Sequence, residues 1–227
     1  MHLTVGTEVN PIHTENFEAV SFAPILEEAQ RLNLSIQTHY DVTNDVGQYV
    51  VNRIKQESFE FLLVGAGISM SALPQDIEAA KHTKWFYPGA LVKDKTRQFI
   101  EEAQCSVGVF VNRDFEKAND VIVILKKPKD VFLFRYAKNV IAFNQAKISI
   151  LELGDALAKN RISEGVIREF LNTYPSTTFI RSTSLPVAVL SKKDLMLISY
   201  ETWTDISDHE KEALQAMPST LIIRKSI

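Results

Sequence analysis

An apolar run, Phe61-Leu62-Leu63-Val64, ends in Gly65-Ala66-Gly67-Ile68-Ser69-Met70. A strand running into a glycine turn is the local setting in which backbone N–H groups and a helix N-terminus can receive a phosphate. A dinucleotide site asks for more: a third small residue for close helix packing, and an acidic residue about 20 positions on to hold a ribose. Met70 stands in the third position, and no strand pattern follows it to carry the acidic residue. A tight turn after a core strand is the simpler account of Gly65 and Gly67.

Other chemistry finds less support. His2, His13, His39, His82 and His209 are scattered, with no pair at ligand spacing on one predicted face, so no metal site is expected. There is no G-x-S-x-G elbow, and Cys105 directly precedes a predicted core strand, where it reads as a small buried hydrophobe. Glu27-Glu28 and Glu101-Glu102 are neighbours on helices. Adjacent helical positions point about 100° apart, which suits solvated faces better than an acid/base pair. No catalytic residues are assigned, and the expectation is a protein that is not an enzyme.

Composition narrows the class. The chain has 227 residues, 45% of them hydrophobic and 23% charged, enough apolar material for a core. A net charge of −3 provides no basic field for nucleic acid. One cysteine excludes an internal disulfide framework and suits a reducing compartment. No segment approaches the ~20 apolar residues of a membrane helix, and Met1 to Val5 carries no secretory pattern, so a soluble cytosolic chain without membrane insertion is expected.

The elements that would position any site repeat themselves. In the first half, strands are predicted at Leu3 to Val5, Ile36 to Tyr40, Phe61 to Val64 and Val107 to Val111. Between them fall a helix within Glu15 to Leu32, starting near Pro24 with Ser21 as its cap, one from Asn44 or Asp45 through Ile54, and one from Thr96 to Ala103. Ser69 to Lys93 is long for a loop and carries either an insertion or a short helix at Gln75 to Lys81. The second half reads as strand Val121 to Leu125, helix Val131 to Phe143, strand Ile148 to Leu151, and a helix capped by Ser163. Then come strand Thr178 to Ile180, a stunted helix or turn at Leu185 to Leu190, strand Asp194 to Tyr200, helix Ser207 to Met217 and strand Thr220 to Ile223. Alternating strands and helices predict an α/β fold with a mostly parallel sheet covered on both faces. Two related units are expected, 1–114 and 115–227, the first without its opening strand and helix. Phe132, Trp85 and Trp203 are candidates for exposed aromatic contacts with a partner.

This tandem order resembles the universal stress protein fold, and more particularly the paired stress-protein-like domains at the cytosolic C-terminus of bacterial monovalent cation:proton antiporters. The stretches that carry the resemblance are Gly6-Thr7-Glu8-Val9-Asn10-Pro11, Phe61 to Gly67, Val107-Gly108-Val109-Phe110-Val111-Asn112-Arg113 and Asp194 to Ser199. It implies a doubly wound, Rossmann-like sheet in each unit and a regulatory role beneath a transporter's membrane domain, at the cytosolic face of the bacterial inner membrane, as a homodimer. It also implies that the missing first strand would be central, so that either the sheet is rearranged or another chain supplies cover.

Nucleotide-binding stress proteins carry a spaced glycine loop and an aspartate just after the first strand. Here Gly65 and Gly67 depart from that spacing, and Lys95-Thr96 lacks the closing glycine. In the second unit Ser199-Tyr200-Glu201-Thr202-Trp203 has no glycine, Glu201 would repel phosphate, and Asp130 lies several residues beyond the strand end at Lys126-Lys127-Pro128. The leading expectation is therefore a cofactor-free regulatory module of an antiporter. The alternative is a free-standing tandem stress protein that binds an adenine nucleotide or other small anion in the first unit, against Gly65, Gly67 and Thr96.

Overall fold

The computed structural model describes residues 2–4, 14–66, 95–155, 160–207, 209, 210, 213 and 215–226, and they divide into two compact units, Met1–Gln56 and Glu57–Ile227. In the first, β1 (His2–Thr4) pairs in parallel with β2 (Tyr40–Val42), and the chain also forms α1 (Thr14–Arg31) and α2 (Val46–Glu57). Gly47, Val50, Val51 and Ile54 of α2 are buried at helical spacing, one apolar stripe turned inward. Asp45 is the cap of that helix, its Oδ1 accepting from the Gln48 N–H at 3.0 Å. On β2, Asp41 accepts from the Tyr49 hydroxyl at 2.5 Å and pairs with Arg53 at 3.4 Å.

The second unit is built on a seven-stranded sheet, ordered β3-β4-β9-β8-β5-β6-β7. Its strands are β3 (Phe61–Gly65), β4 (Ser106–Val111), β5 (Asp120–Leu125), β6 (Lys147–Leu153), β7 (Thr178–Ser182), β8 (Leu195–Ser199) and β9 (Ser219–Arg224). Every neighbouring pair is parallel except β4 with β9, which run antiparallel with Val109 opposite Ile222. The helices are α3 (Lys95–Glu102), α4 (Phe134–Asn144), entered through a 3-10 turn at Pro128–Leu133, α5 (Arg161–Thr173), α6 (Val187–Leu190) and α7 (Tyr200–Ser207).

Burial on both faces explains why β5 and β8 are unbroken apolar runs: Val121 through Leu125 are all sealed from solvent, as are Met196, Leu197 and Ile198. On one face Val121, Val123 and Leu125 join Ile148, Ile150, Leu133, Ala137, Ile167 and the Phe134–Phe170 pair, whose rings stack at 4.4 Å. Cys105 is buried beside β4, and Trp203 is 1% exposed, so this tryptophan is core and not a surface contact. Phe132 is half-buried with its ring edge-on to Tyr136, and Trp85 lies outside the described residues.

Several elements differ from the sequence expectation. α1 runs through Pro24 instead of starting there; Pro24 and Val20 are both on the exposed side, where the carbonyl freed by the proline can meet water. Of the strand expected at Ile36 to Tyr40 only Tyr40 is paired; the strand runs Tyr40–Val42, in register with His2–Thr4 of β1. α5 is capped by Asn160, whose side chain accepts from Ser163 N; the Ser163 hydroxyl instead donates to the Pro128 carbonyl at 3.0 Å. A helix that the sequence reading did not mark, Tyr200–Ser207, follows β8 with no loop; within the helix expected at Ser207 to Met217, Ala213 and Gln215 are helical. The compact division falls after Gln56, and β3 and β4 hydrogen-bond into the same sheet as β9. Among the described residues, the strands of the first half lie in a two-stranded and a seven-stranded sheet. Gln75 to Lys81 lies outside the described residues.

The β4–β9 seam is tied at both ends. Arg113 donates from its guanidinium to the carbonyls of Gln215 (2.6 Å) and Met217 (3.0 Å), and Arg224 donates to the Ala103 carbonyl at 2.6 Å. At its centre Gly108 leaves no room for a side chain: a Cβ there would lie 2.4 Å from Phe61 Cζ and 3.1 Å from Leu221 Cδ1. Phe61 is itself held against Tyr136, with ring centroids 5.4 Å apart. Gly108→Ala is expected to lower unfolding stability by about 1–3 kcal/mol in urea titrations, and Phe61→Leu in the same chain to return part of that loss. An unchanged midpoint in the single variant would show that the seam tolerates a methyl group.

Candidate functional site

In an open parallel sheet, ligands bind beyond the carboxyl ends of the strands where the strand order reverses. Here the chain leaves β5 toward β6 and β7 on one side and toward β8 and β9 on the other, so the crevice between β5 and β8 is that point. Its walls are the Lys126-Lys127-Pro128 exit from β5 and the direct β8-to-α7 junction at Ser199 and Tyr200.

Asp130 fills this crevice. The 3-10 turn folds it back under the end of β5, where it is sealed from solvent. Its Oδ2 accepts from the backbone N–H groups of Lys126 (2.8 Å) and Lys127 (2.7 Å) and from the Thr202 hydroxyl (2.7 Å). Its Oδ1 accepts from the Ser199 hydroxyl at 2.6 Å. Ser199 Oγ accepts in turn from Thr202 N at 3.1 Å, capping the first turn of α7. Ser199 and Thr202 are also fully buried. A carboxylate carrying four hydrogen bonds, two from hydroxyls and two from backbone amides, is in the position and environment in which a doubly wound fold would otherwise hold a ligand's anion.

The rim is charged and internally paired. Lys127 Nζ lies 2.8 Å and Lys126 Nζ 3.7 Å from Asp205 Oδ2, and Lys129 Nζ lies 2.8 Å from Glu201 Oε1. The Lys127 hydrogen bond holds the Asp205 carboxyl below its ordinary range. At Glu201 burial pulls the carboxyl up, but the Lys129 hydrogen bond, together with a backbone bond and the lysine charges, leaves it below the ordinary value. These lysines are paired with the protein's own carboxylates, and the Ser199 and Thr202 hydroxyls beside Asp130 are sealed from solvent with it. Elsewhere, burial raises the Cys105 thiol above its ordinary range.

Of the residues singled out from sequence, Gly65 and Thr96 are outside the Asp130–Ser199–Thr202 hydrogen-bond network. Gly65 ends β3, with open space where a Cβ would stand, and the ladder continues past it through the Ala66 N–H to the Phe110 carbonyl at 2.7 Å. Thr96 is the second residue of α3. Gly67 lies outside the described residues, as does the chain to 94 that would join these positions into a phosphate loop. Among the described residues no group of three or more His, Cys, Asp or Glu could hold a metal ion, and no helix is long and apolar enough to cross a membrane. The Asp130–Ser199–Thr202 knot escaped sequence reasoning because its members are about 70 residues apart and share no local motif (69 residues from Asp130 to Ser199, 72 to Thr202).

No protein-family model matches the chain, and no curated protein matches it in sequence. Solved structures do match its fold. The cytoplasmic domain of a prokaryotic cation chloride cotransporter aligns over 99% of this chain and 83% of its own, with a TM-score of 0.59 at 10% identity. A candidate universal stress protein from Pseudomonas aeruginosa covers 97% of this chain and 80% of its own, with a TM-score of 0.52 at 9% identity. A universal stress protein from Archaeoglobus fulgidus covers 98% and 82%, with a TM-score of 0.50 at 12% identity. At such identities the likeness is one of fold: a mostly parallel α/β sheet of universal-stress-protein type.

Removing the Asp130 carboxylate strands two half-buried backbone amides and two buried hydroxyls. Asp130→Ala is expected to cost about 3–5 kcal/mol in chemical unfolding, and Asp130→Asn less, since one amide oxygen still accepts. A loss under about 1 kcal/mol for the alanine variant would mean the crevice repacks without it.

Proposed function

We propose that this chain is a non-catalytic, cytosolic regulatory module of a membrane transporter, a monovalent cation:proton antiporter, acting as a homodimer through contacts that differ between transporter conformations. The observation that carries the proposal is the closure of the β5–β8 crevice by Asp130, Ser199 and Thr202. A crevice filled by the protein's own anion argues against small-molecule turnover there and leaves the fold's surfaces as its working parts.

Two further observations support the reading. The structural likeness to the cotransporter's cytoplasmic domain extends over nearly the whole chain. The antiparallel β4–β9 seam, with parallel pairs β3–β4 and β9–β8 on either side, has the pattern of two related units joined edge to edge through their last strands. A rigid pair of this kind couples to transport only if it binds one transporter state more tightly than the other.

Fractionation of source cells with an antibody against this chain tests the proposal. A membrane-associated band much heavier than 25.7 kDa is expected, together with altered cation-dependent proton flux in vesicles when the segment is deleted. A soluble band near 25.7 kDa would overturn it in favour of a free-standing tandem stress protein.

A further inference from the structure

A second feature lies on β6, across β5 from the closed crevice, where Glu152 is the register partner of Leu125. Along β6, Ile148, Ile150 and Glu152 alternate onto one face, the face that carries the apolar core against α5. Glu152 therefore puts a carboxylate at a register position meant for a hydrophobe, with only 2% of the residue exposed. One oxygen is matched: Oε2 accepts from Arg181 Nε at 2.8 Å, across the register pair between β6 and β7. The other, Oε1, is buried and has no hydrogen-bond partner. A buried carboxylate oxygen left unbonded is costly, and a site that tolerates one is under pressure to receive a donor.

Glu152 borders a pocket of about 220 Å³ between α5 and the β6–β7 edge. Ile167, Leu171 and Phe179 make its apolar wall, and Glu164, Arg168 and Arg181 its charged mouth. Glu164, Ile167, Arg168 and Leu171 recur at the three- and four-residue spacing of one helix face. Arg168 reaches Glu164 at 3.1 Å, while the Arg181 guanidinium lies 5.4 Å from the Phe179 ring centroid. The Arg181 side chain is 70% exposed, so it covers the carboxylate as an arm lying in solvent.

We propose that this pocket binds a small zwitterion with an aliphatic body, of the free α-amino-acid class. The ammonium gives Glu152 Oε1 the donor it lacks once the Arg181 arm swings outward, and the ligand carboxylate takes the terminal nitrogens of Arg181 or Arg168. Two carboxylates and two guanidinium groups sum to no net charge, so a ligand carrying both signs fits better than a bare cation or anion. The wall of Ile167, Leu171 and Phe179 calls for an aliphatic side chain, and the volume limits the ligand to about one residue in size.

The test is ¹H–¹⁵N NMR titration of the 227-residue chain with L-leucine, isoamylamine (no carboxylate) and isocaproate (no ammonium). Saturable shifts at the amides of α5, β6 and β7 are expected with millimolar L-leucine and much weaker ones with the other two. Glu152→Gln and, as a variant that leaves the carboxylate in place, Leu171→Trp should each weaken binding by about tenfold or more. If L-leucine gives no saturable shift, the unmatched oxygen is served by water and the proposal fails. It fails equally if isoamylamine binds as well as L-leucine, or if Leu171→Trp leaves the affinity unchanged.

Discussion

The constraint on which the second unit depends is the burial of one negative charge, Asp130, at the carboxyl ends of its two central strands. A carboxylate sealed from solvent survives only where donors surround it. The sheet supplies them from three directions: the backbone leaving β5, the last residue of β8 and the first turn of α7. Each of these elements is consequently fixed by the same group. The 3-10 turn at Pro128–Leu133 exists to return Asp130 to the strand ends, and α7 starts without a loop because Ser199 caps it from within β8. Leu133, at the end of the 3-10 turn, and Trp203, in α7, are both fully buried.

What remains available for function follows from that closure. The fold offers a crevice at its strand-order reversal and fills it with its own acid, then ties the neighbouring lysines to Asp205 and Glu201. Chemistry is thereby moved away from the centre of the sheet. At the β6–β7 edge, Glu152 lies under Arg181 and borders a pocket. A module that works through contacts, and responds to a small solute at one edge, is consistent with both.

The architecture was largely legible in the sequence, for a physical reason. Parallel strands buried on both faces are continuous apolar runs, and Val107 to Val111, Val121 to Leu125 and Leu195 to Ile198 announce themselves as such. Elements set by non-local partners were not. Tyr200-Glu201-Thr202-Trp203 has weak helix propensity, and its helix depends on a cap and a buried acid about 70 residues away. Asn160 and Ser163 both had the chemistry of a cap, and only the packing of Ser163 onto Pro128 decides between them. Glu152 left one readable trace, a charge breaking the apolar face of Ile148 and Ile150, although its orphaned oxygen is a fact of three dimensions. Gly65 closes β3, and the ladder runs on through the Ala66 N–H to the Phe110 carbonyl.

The most direct measurement of the central claim is calorimetric titration of the chain with ATP, with NMR shifts locating any binding. With Asp130 in place, no saturable heat and no shifts at the β8–α7 junction are predicted at millimolar nucleotide. Saturable binding that perturbs Ser199, Thr202 and the Lys126–Lys127 amides would contradict the account, because the crevice would then be open to an anion other than its own.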